Sequence, residues 1–129
     1  MDKAQVNPWT WQDKRQYSQA WKIVGADSII FVSGQCPINS DGELVGVGDF
    51  EAQTRQTFEN LAAVLAASGA GFDDVVKLSV FLTDISKLSE FGRVKSEFIH
   101  GKQPASTAMG VAGLAIPEMY VEVEAIAVL

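Results

Sequence analysis

Cysteine and histidine each occur once in the 129 residues, as Cys36 and His100. A single cysteine closes no intramolecular disulfide. A single histidine without Cys or His partners at ligand spacing makes no zinc-type site, so neither a metal nor a cofactor is expected. Basic residues are also scarce: ten Lys and Arg stand against sixteen Asp and Glu, the formal net charge is −6, and arginine occurs only at 15, 55 and 93. Affinity for phosphate backbones and anionic membranes is built from clustered Lys and Arg, so nucleic acid and membrane are not the expected partners. No segment reaches the apolar length of a membrane span, and the opening MDKAQVNPW carries no hydrophobic signal region. A cytoplasmic protein is the expectation. Linkers and low-complexity stretches are missing too, so residues 1–129 read as one domain with one core.

What is present is a folding sequence, 47% apolar with three Trp and seven Phe. Residues 17–23 (YSQAWKI) and 28–35 (SIIFVSGQ) are β-branched and aromatic runs around the turn-prone VGAD, a pattern that predicts a hairpin. NSDG at 39–42 marks another turn. From Asp49 the period becomes helical, with Phe50, Thr54, Thr57, Phe58, Leu61, Val64 and Leu65 on one stripe, Asp49 as N-cap and Gly69 or Gly71 as stop. Residues 75–82 (VVKLSVFL) alternate again, placing Val76, Leu78, Val80 and Leu82 on one face. A second helix over 87–99 carries the stripe Leu88, Phe91, Val94, Lys95 and Phe98 and ends at Gly101. A short strand in KQPASTAMGV and a terminal strand complete the order β-β-(β)-α-β-α-β-β, an α+β layer with both helices on one face of the sheet.

The terminal stretch YVEVEAIAVL poses the functional question. Its alternation puts Val121, Val123, Ala125 and Ala127 on a core face, and Glu122, Glu124, Ile126 and Val128 on the other, with the carboxylates ~7 Å apart. Two readings follow: exposed charges guarding a sheet edge, or a cleft. A mixed polar and apolar face left uncovered by the helices favours a closed homo-oligomer with polar clefts where subunits meet.

Five ordered motifs carry a resemblance: YSQA at 17–20, FVSGQ at 31–35, QTRQTFENLAAVLAASG at 53–69, DDVVKLSVFLTD at 73–84, and PAS…GVAGL…VEVEAIAV to the C-terminus. Together they resemble the Rid proteins, also called YjgF-like, whose founding activity is enamine and imine deamination. The resemblance implies a chorismate-mutase-like fold and a homotrimer whose sheets form a central barrel, with small-molecule clefts between subunits. It implies a cleft lined by Tyr17, Ser33 and Gly34, and Glu122 as the acid that positions or activates a hydrolytic water. Active members clamp a substrate carboxylate with an arginine, and here Ser106 stands in that place. Ala108 corresponds to a family cysteine and Gly92 to a frequent asparagine. A serine donates one neutral hydrogen bond where a guanidinium offers a charged, bidentate fork. The resemblance thus implies either hydrolysis of an altered substrate or a metabolite-binding protein that keeps the trimer without the chemistry.

Other conspicuous residues read more plainly. Arg15 shares strand parity with Tyr17, either as a substitute clamp or as a solvated surface residue. Cys36 reads as a small buried filler, and His100 as a cation at a helix C-terminus. Trp9 and Trp11 either wall the cleft or cap the sheet edge. GVGD at 46–49 lacks the lysine of a P-loop and reads as a turn and N-cap.

Overall fold

The computed structural model describes residues 1–129. Its strands are β1 (Asp2–Val6), β2 (Ala20–Val24), β3 (Ile29–Gln35), β4 (Val75–Leu82), β5 (Ala105–Gly110) and β6 (Val121–Val128), with helices α1 (Phe50–Ala67) and α2 (Leu88–Lys95). Four strands form a mixed sheet in the order β3-β6-β4-β5, and β1 and β2 form a separate antiparallel pair. β5 runs parallel to β4; β6 runs antiparallel to both β3 and β4. This is the expected α+β architecture.

The hairpin predicted between 17–23 and 28–35 does not form. β2 pairs instead with β1, a strand the sequence reading did not anticipate, so its backbone groups are already satisfied. The intervening turn hands the chain to the C-terminus, where Asp27 and Ser28 donate to the Leu129 carbonyl at 2.7 and 3.0 Å, and β3 settles beside β6. The optional strand before α1 is absent as well. That stretch holds only an isolated bridge, Ile38 to Leu44, around the NSDG turn.

α1 forms where its period changes. The Asp49 carboxylate accepts from the Ala52 amide at 3.1 Å, and Gly69, at φ 78°, ends the helix as only glycine does cheaply. Phe58, Leu61 and Leu65 are fully buried, joined by Leu78, Leu82, Val121, Val123 and Phe91 in one core between the helices and the sheet. Phe58 sits among Phe98, Phe91 and Phe72 at ring separations of 5.3, 5.5 and 6.2 Å. α2 is shorter than predicted. The Ser96 hydroxyl donates to the Arg93 carbonyl at 2.6 Å, a side-chain competitor for helical backbone bonding, and turns rather than helix lead on to Ile99.

The alternation in β4 and β6 holds with one local exception. A register shift between Val75 and Lys77 buries Val75 in place of Val76, after which Leu78, Val80 and Leu82 face the core as expected. The other face of the sheet is open, and Phe31 on it is 76% exposed.

Truncating the ring at the centre of the phenylalanine cluster removes dispersion contacts that no neighbour can replace. Phe58→Ala is expected to lower unfolding free energy by about 3–5 kcal/mol, read from urea denaturation midpoints.

Candidate functional site: two half-sites on opposite faces of the sheet

The position of β6 removes one reading of its carboxylates. β6 lies between β3 and β4, so Glu122 and Glu124 do not guard an edge. Glu122 stands opposite Phe81 and Glu124 opposite Ser79, both on the open face. Gln53 of α1 fixes where the strand starts: its amide donates to the Glu118 carbonyl at 2.9 Å and accepts from the Tyr120 amide at 2.8 Å.

Beside Glu122, β3 carries an irregularity. Between Val32 and Gln35 the register slips by one residue, and this bulge brings Gly34 against the carboxylate. A Cβ at Gly34 would lie 2.7 Å from Glu122 Cδ, so glycine is what leaves the side chain its place. Ser33, the neighbour of Gly34 in the bulge, is exposed. Asn60 secures the chain just beyond, donating to the Cys36 and Ile38 carbonyls at 2.8 and 2.7 Å.

Cys36 is more than filler. Its thiol donates to Glu122 Oε1 at 3.0 Å. Burial first, then the hydrogen bond and negative charge of Glu122, push this thiol up to about 12. Cys36 is therefore held as a protonated donor, the opposite of an activated nucleophile.

The second group of residues lies on the helix side. Ser106 pairs with Leu78 and Ala108 with Val80, which places both on the core-facing side of β5 at the sheet's edge. The segment around Tyr17 is stitched to the start of that strand: Ser18 donates from its amide to the Pro104 carbonyl at 3.0 Å and from its hydroxyl to the Gln103 carbonyl at 2.6 Å. Trp21 Nε1 donates to the same Gln103 carbonyl at 2.9 Å. A cavity of about 250 Å³ results, bounded by Tyr17, Gly92, Ser106 and Ala108 together with Arg15 and Lys95. Trp11 meets Tyr17 edge-on at 6.2 Å and stacks on Trp9 at 6.1 Å, while the Arg15 guanidinium lies 5.6 Å from the Trp11 ring. The two tryptophans thus lie exposed beside Tyr17 and outside the cavity lining, whereas Arg15 belongs to the cavity.

Lys95 is the residue the sequence reading did not assign to the site. Its signal was a cation inside the apolar stripe of the second helix. It is only 5% exposed, and its Nζ donates to the Gln16 carbonyl at 2.6 Å. Gln16 is the one non-glycine residue with positive φ, 58°, so Lys95 fastens a strained turn. Neither Lys95 nor Arg15 forms an ion pair with a carboxylate. Burial lowers Lys95 to about 8.

The residues singled out from the sequence therefore fall into two groups. Tyr17, Gly92, Ser106 and Ala108 share a cavity on the helix side; Glu122, Gly34 and Ser33 lie on or beside the open face. No cluster of three or more His, Cys, Asp or Glu side chains stands at metal-binding distance. No helix is long and apolar enough to cross a membrane.

Sequence and fold both match known proteins. A family profile described as Endoribonuclease L-PSP matches residues 11–129. A RutC family protein of Pyrococcus abyssi is 40% identical over 112 residues, covering 86% of this chain and 84% of that one. A crystal structure of YyfB, a Rid-family protein of unknown function from Yersinia pestis, superposes with a TM-score of 0.89 at 31% identity, covering all of both chains. RidA from the Antarctic bacterium Psychrobacter sp. PAMC 21119 aligns with a TM-score of 0.73 at 36% identity over 88% of each chain. The chain belongs to the Rid, or YjgF-like, family.

Two measurements follow. Glu122→Gln removes the charge that opposes thiolate formation while leaving the burial, so Cys36 should alkylate faster with iodoacetamide at pH 8.5 than in the wild type, yet remain slower than free cysteine. For Lys95, the folded chain releases its proton at about 8 whereas the unfolded chain holds it to about 10.5. Unfolding then takes up a proton between those values, so this residue's contribution to stability rises with pH across that window. The melting temperature of wild type relative to Lys95→Met should accordingly increase from pH 7.5 to 9.5.

Proposed function

We propose that the chain acts as a homotrimer in which the open sheet faces line a central barrel and each cavity is completed at a subunit boundary by a neighbouring copy. The observation that carries this reading is the separation of the two half-sites: Glu122 lies across the sheet from Tyr17 and Ser106 of its own chain, so a second copy is the direct means of bringing acid and cavity together. The uncovered apolar surface around Phe31 gives such an assembly its driving force.

In the completed cleft the reaction is hydrolysis of a small reactive enamine or imine metabolite to a ketone and ammonia. Glu122 accepts a proton from water as the water oxygen attacks the C=N carbon. The Tyr17 hydroxyl supplies the proton donor for the nitrogen, and collapse of the carbinolamine expels ammonia and leaves the ketone. The Cys36 thiol, donating to Oε1, orients the carboxylate toward the cleft. Ser106 donates one neutral hydrogen bond in place of the family arginine, so the substrate differs from that of arginine-bearing members. Arg15, which also borders the cavity, is one available substitute cation. The protein is read as cytoplasmic and as needing neither metal nor cofactor.

The combined loss of charge and bulk at Ser106, Ala108 and Gly92 favours one alternative, a non-catalytic protein that binds or senses a small metabolite while keeping the trimer. RNA cleavage, the activity in the family profile's description, suits this chain poorly because its net charge of −6 includes no basic stripe.

Ammonia release from freshly generated 2-iminopropanoate and 2-iminobutanoate separates these readings. Wild type should exceed the buffer background, and Glu122→Gln should fall by ~10²–10⁴-fold without losing the trimer on size exclusion. A wild-type rate equal to background would overturn hydrolysis of these substrates. Recovery of turnover in Ser106→Arg would then assign the wild-type cleft to binding or to a different substrate.

A further inference from the structure

Lys95 is bonded in a way that its structural duty does not exhaust. A buried ammonium ordinarily requires a carboxylate partner, because desolvation of an unpaired charge is costly. Here the nitrogen has one backbone carbonyl, that of Gln16, and no acid, and the other titratable groups bounding the cavity are Arg15 and Tyr17. Of the chain's seven lysines, at 3, 14, 22, 77, 87, 95 and 102, this is the one buried residue. Its side chain borders a cavity of about 250 Å³, room for a small metabolite.

We infer that Lys95 is a nucleophilic amine that captures small aldehydes and ketones as a Schiff base inside this cavity. The neutral amine keeps one N–H on the Gln16 carbonyl, which leaves its lone pair free for an incoming carbon. The lone pair attacks the carbonyl carbon and the C=O electron pair moves to oxygen, which takes up a proton. The nitrogen loses a proton, and the resulting carbinolamine expels water to form the C=N bond. One amine and one carbonyl give one imine and one water, with no oxidant or reductant. The protonated imine still carries an N–H for Gln16, so capture does not break the contact that holds the turn. Burial enlarges the neutral fraction at working pH: with a pKa of about 8 against the ordinary lysine value, that fraction at pH 7.5 is roughly two hundredfold larger than that of a surface lysine. This inference rests on the cavity and not on hydrolysis at Glu122.

Reductive trapping tests it. The protein is incubated with limiting propanal, and separately with pyruvate, in sodium cyanoborohydride, then digested and mapped by mass spectrometry. Lys95, the least exposed lysine, should carry at least tenfold more adduct than the mean of the other six at pH 7.5, with its labelling rate levelling off above about pH 8. Lys95→Arg, which keeps a donor for Gln16, should lose the dominant adduct while retaining the melting transition. Adducts spread over the surface lysines with Lys95 unmodified would overturn the inference, as would a Lys95 rate that keeps climbing to pH 10. If the variant fails to fold, the wild-type peptide map alone decides. A negative ammonia-release assay leaves this result untouched, because trapping needs neither Glu122 nor turnover.

Discussion

A strand has only two faces, and the central strand of this sheet has both committed. One face of β6 gives Val121, Val123, Ala125 and Ala127 to the core, every one of them buried. The other must then hold whatever remains, and on this chain it holds Glu122 and Glu124. Flanked by β3 and β4, the strand cannot slip without turning its carboxylates into the core, a displacement that burial of unpaired charge forbids. Gln53 fixes the start of the strand, the β3 bulge clears space at Gly34, and Cys36 donates to the Glu122 side chain; each depends on that register.

The cavity on the helix side is built by a different device. There the backbone at Gln103 and Pro104 collects hydrogen bonds from Ser18 and Trp21, drawing a segment distant in sequence onto the edge of β5. The carbonyls just ahead of this edge strand thereby hold Tyr17 beside Ser106. Lys95 secures the same segment from the helix by gripping Gln16. The cavity is consequently ringed by groups from four separate stretches, with two cations and no acid. Its charge is the reverse of the carboxylate-bearing open face, and the overall acidity of the chain conceals it.

Much of this was legible beforehand because it rests on periodicity. The helical stripe of α1, its Asp49 cap, the alternation of β4 and the core face of β6 are local patterns, and the physics that produces them is local. The five ordered motifs identified the family on the same basis. Partner choice was less legible. The hairpin of 17–23 with 28–35 had correct turn chemistry, but β1 and the C-terminal Leu129 satisfied the two strands separately, and no local signal distinguishes one acceptor from another. Cys36 read as filler because its partner lies far along the chain. Lys95 was visible as a cation in an apolar stripe, although a stripe does not say whether a long side chain reaches water or stays inside.

The sequence by itself determined the apolar stripe of α1, the core face of β6 and, from Leu78 onward, that of β4, because side-chain direction there follows backbone period. It also determined the family. Only the tertiary structure decided that Tyr17, Gly92, Ser106 and Ala108 share one cavity, that Lys95 and Arg15 join them, and that Glu122 stands on the opposite side of the sheet with the Cys36 thiol bound to it. Those facts depend on strand order and long-range register, which arise from competition among backbone donors and acceptors across the whole chain.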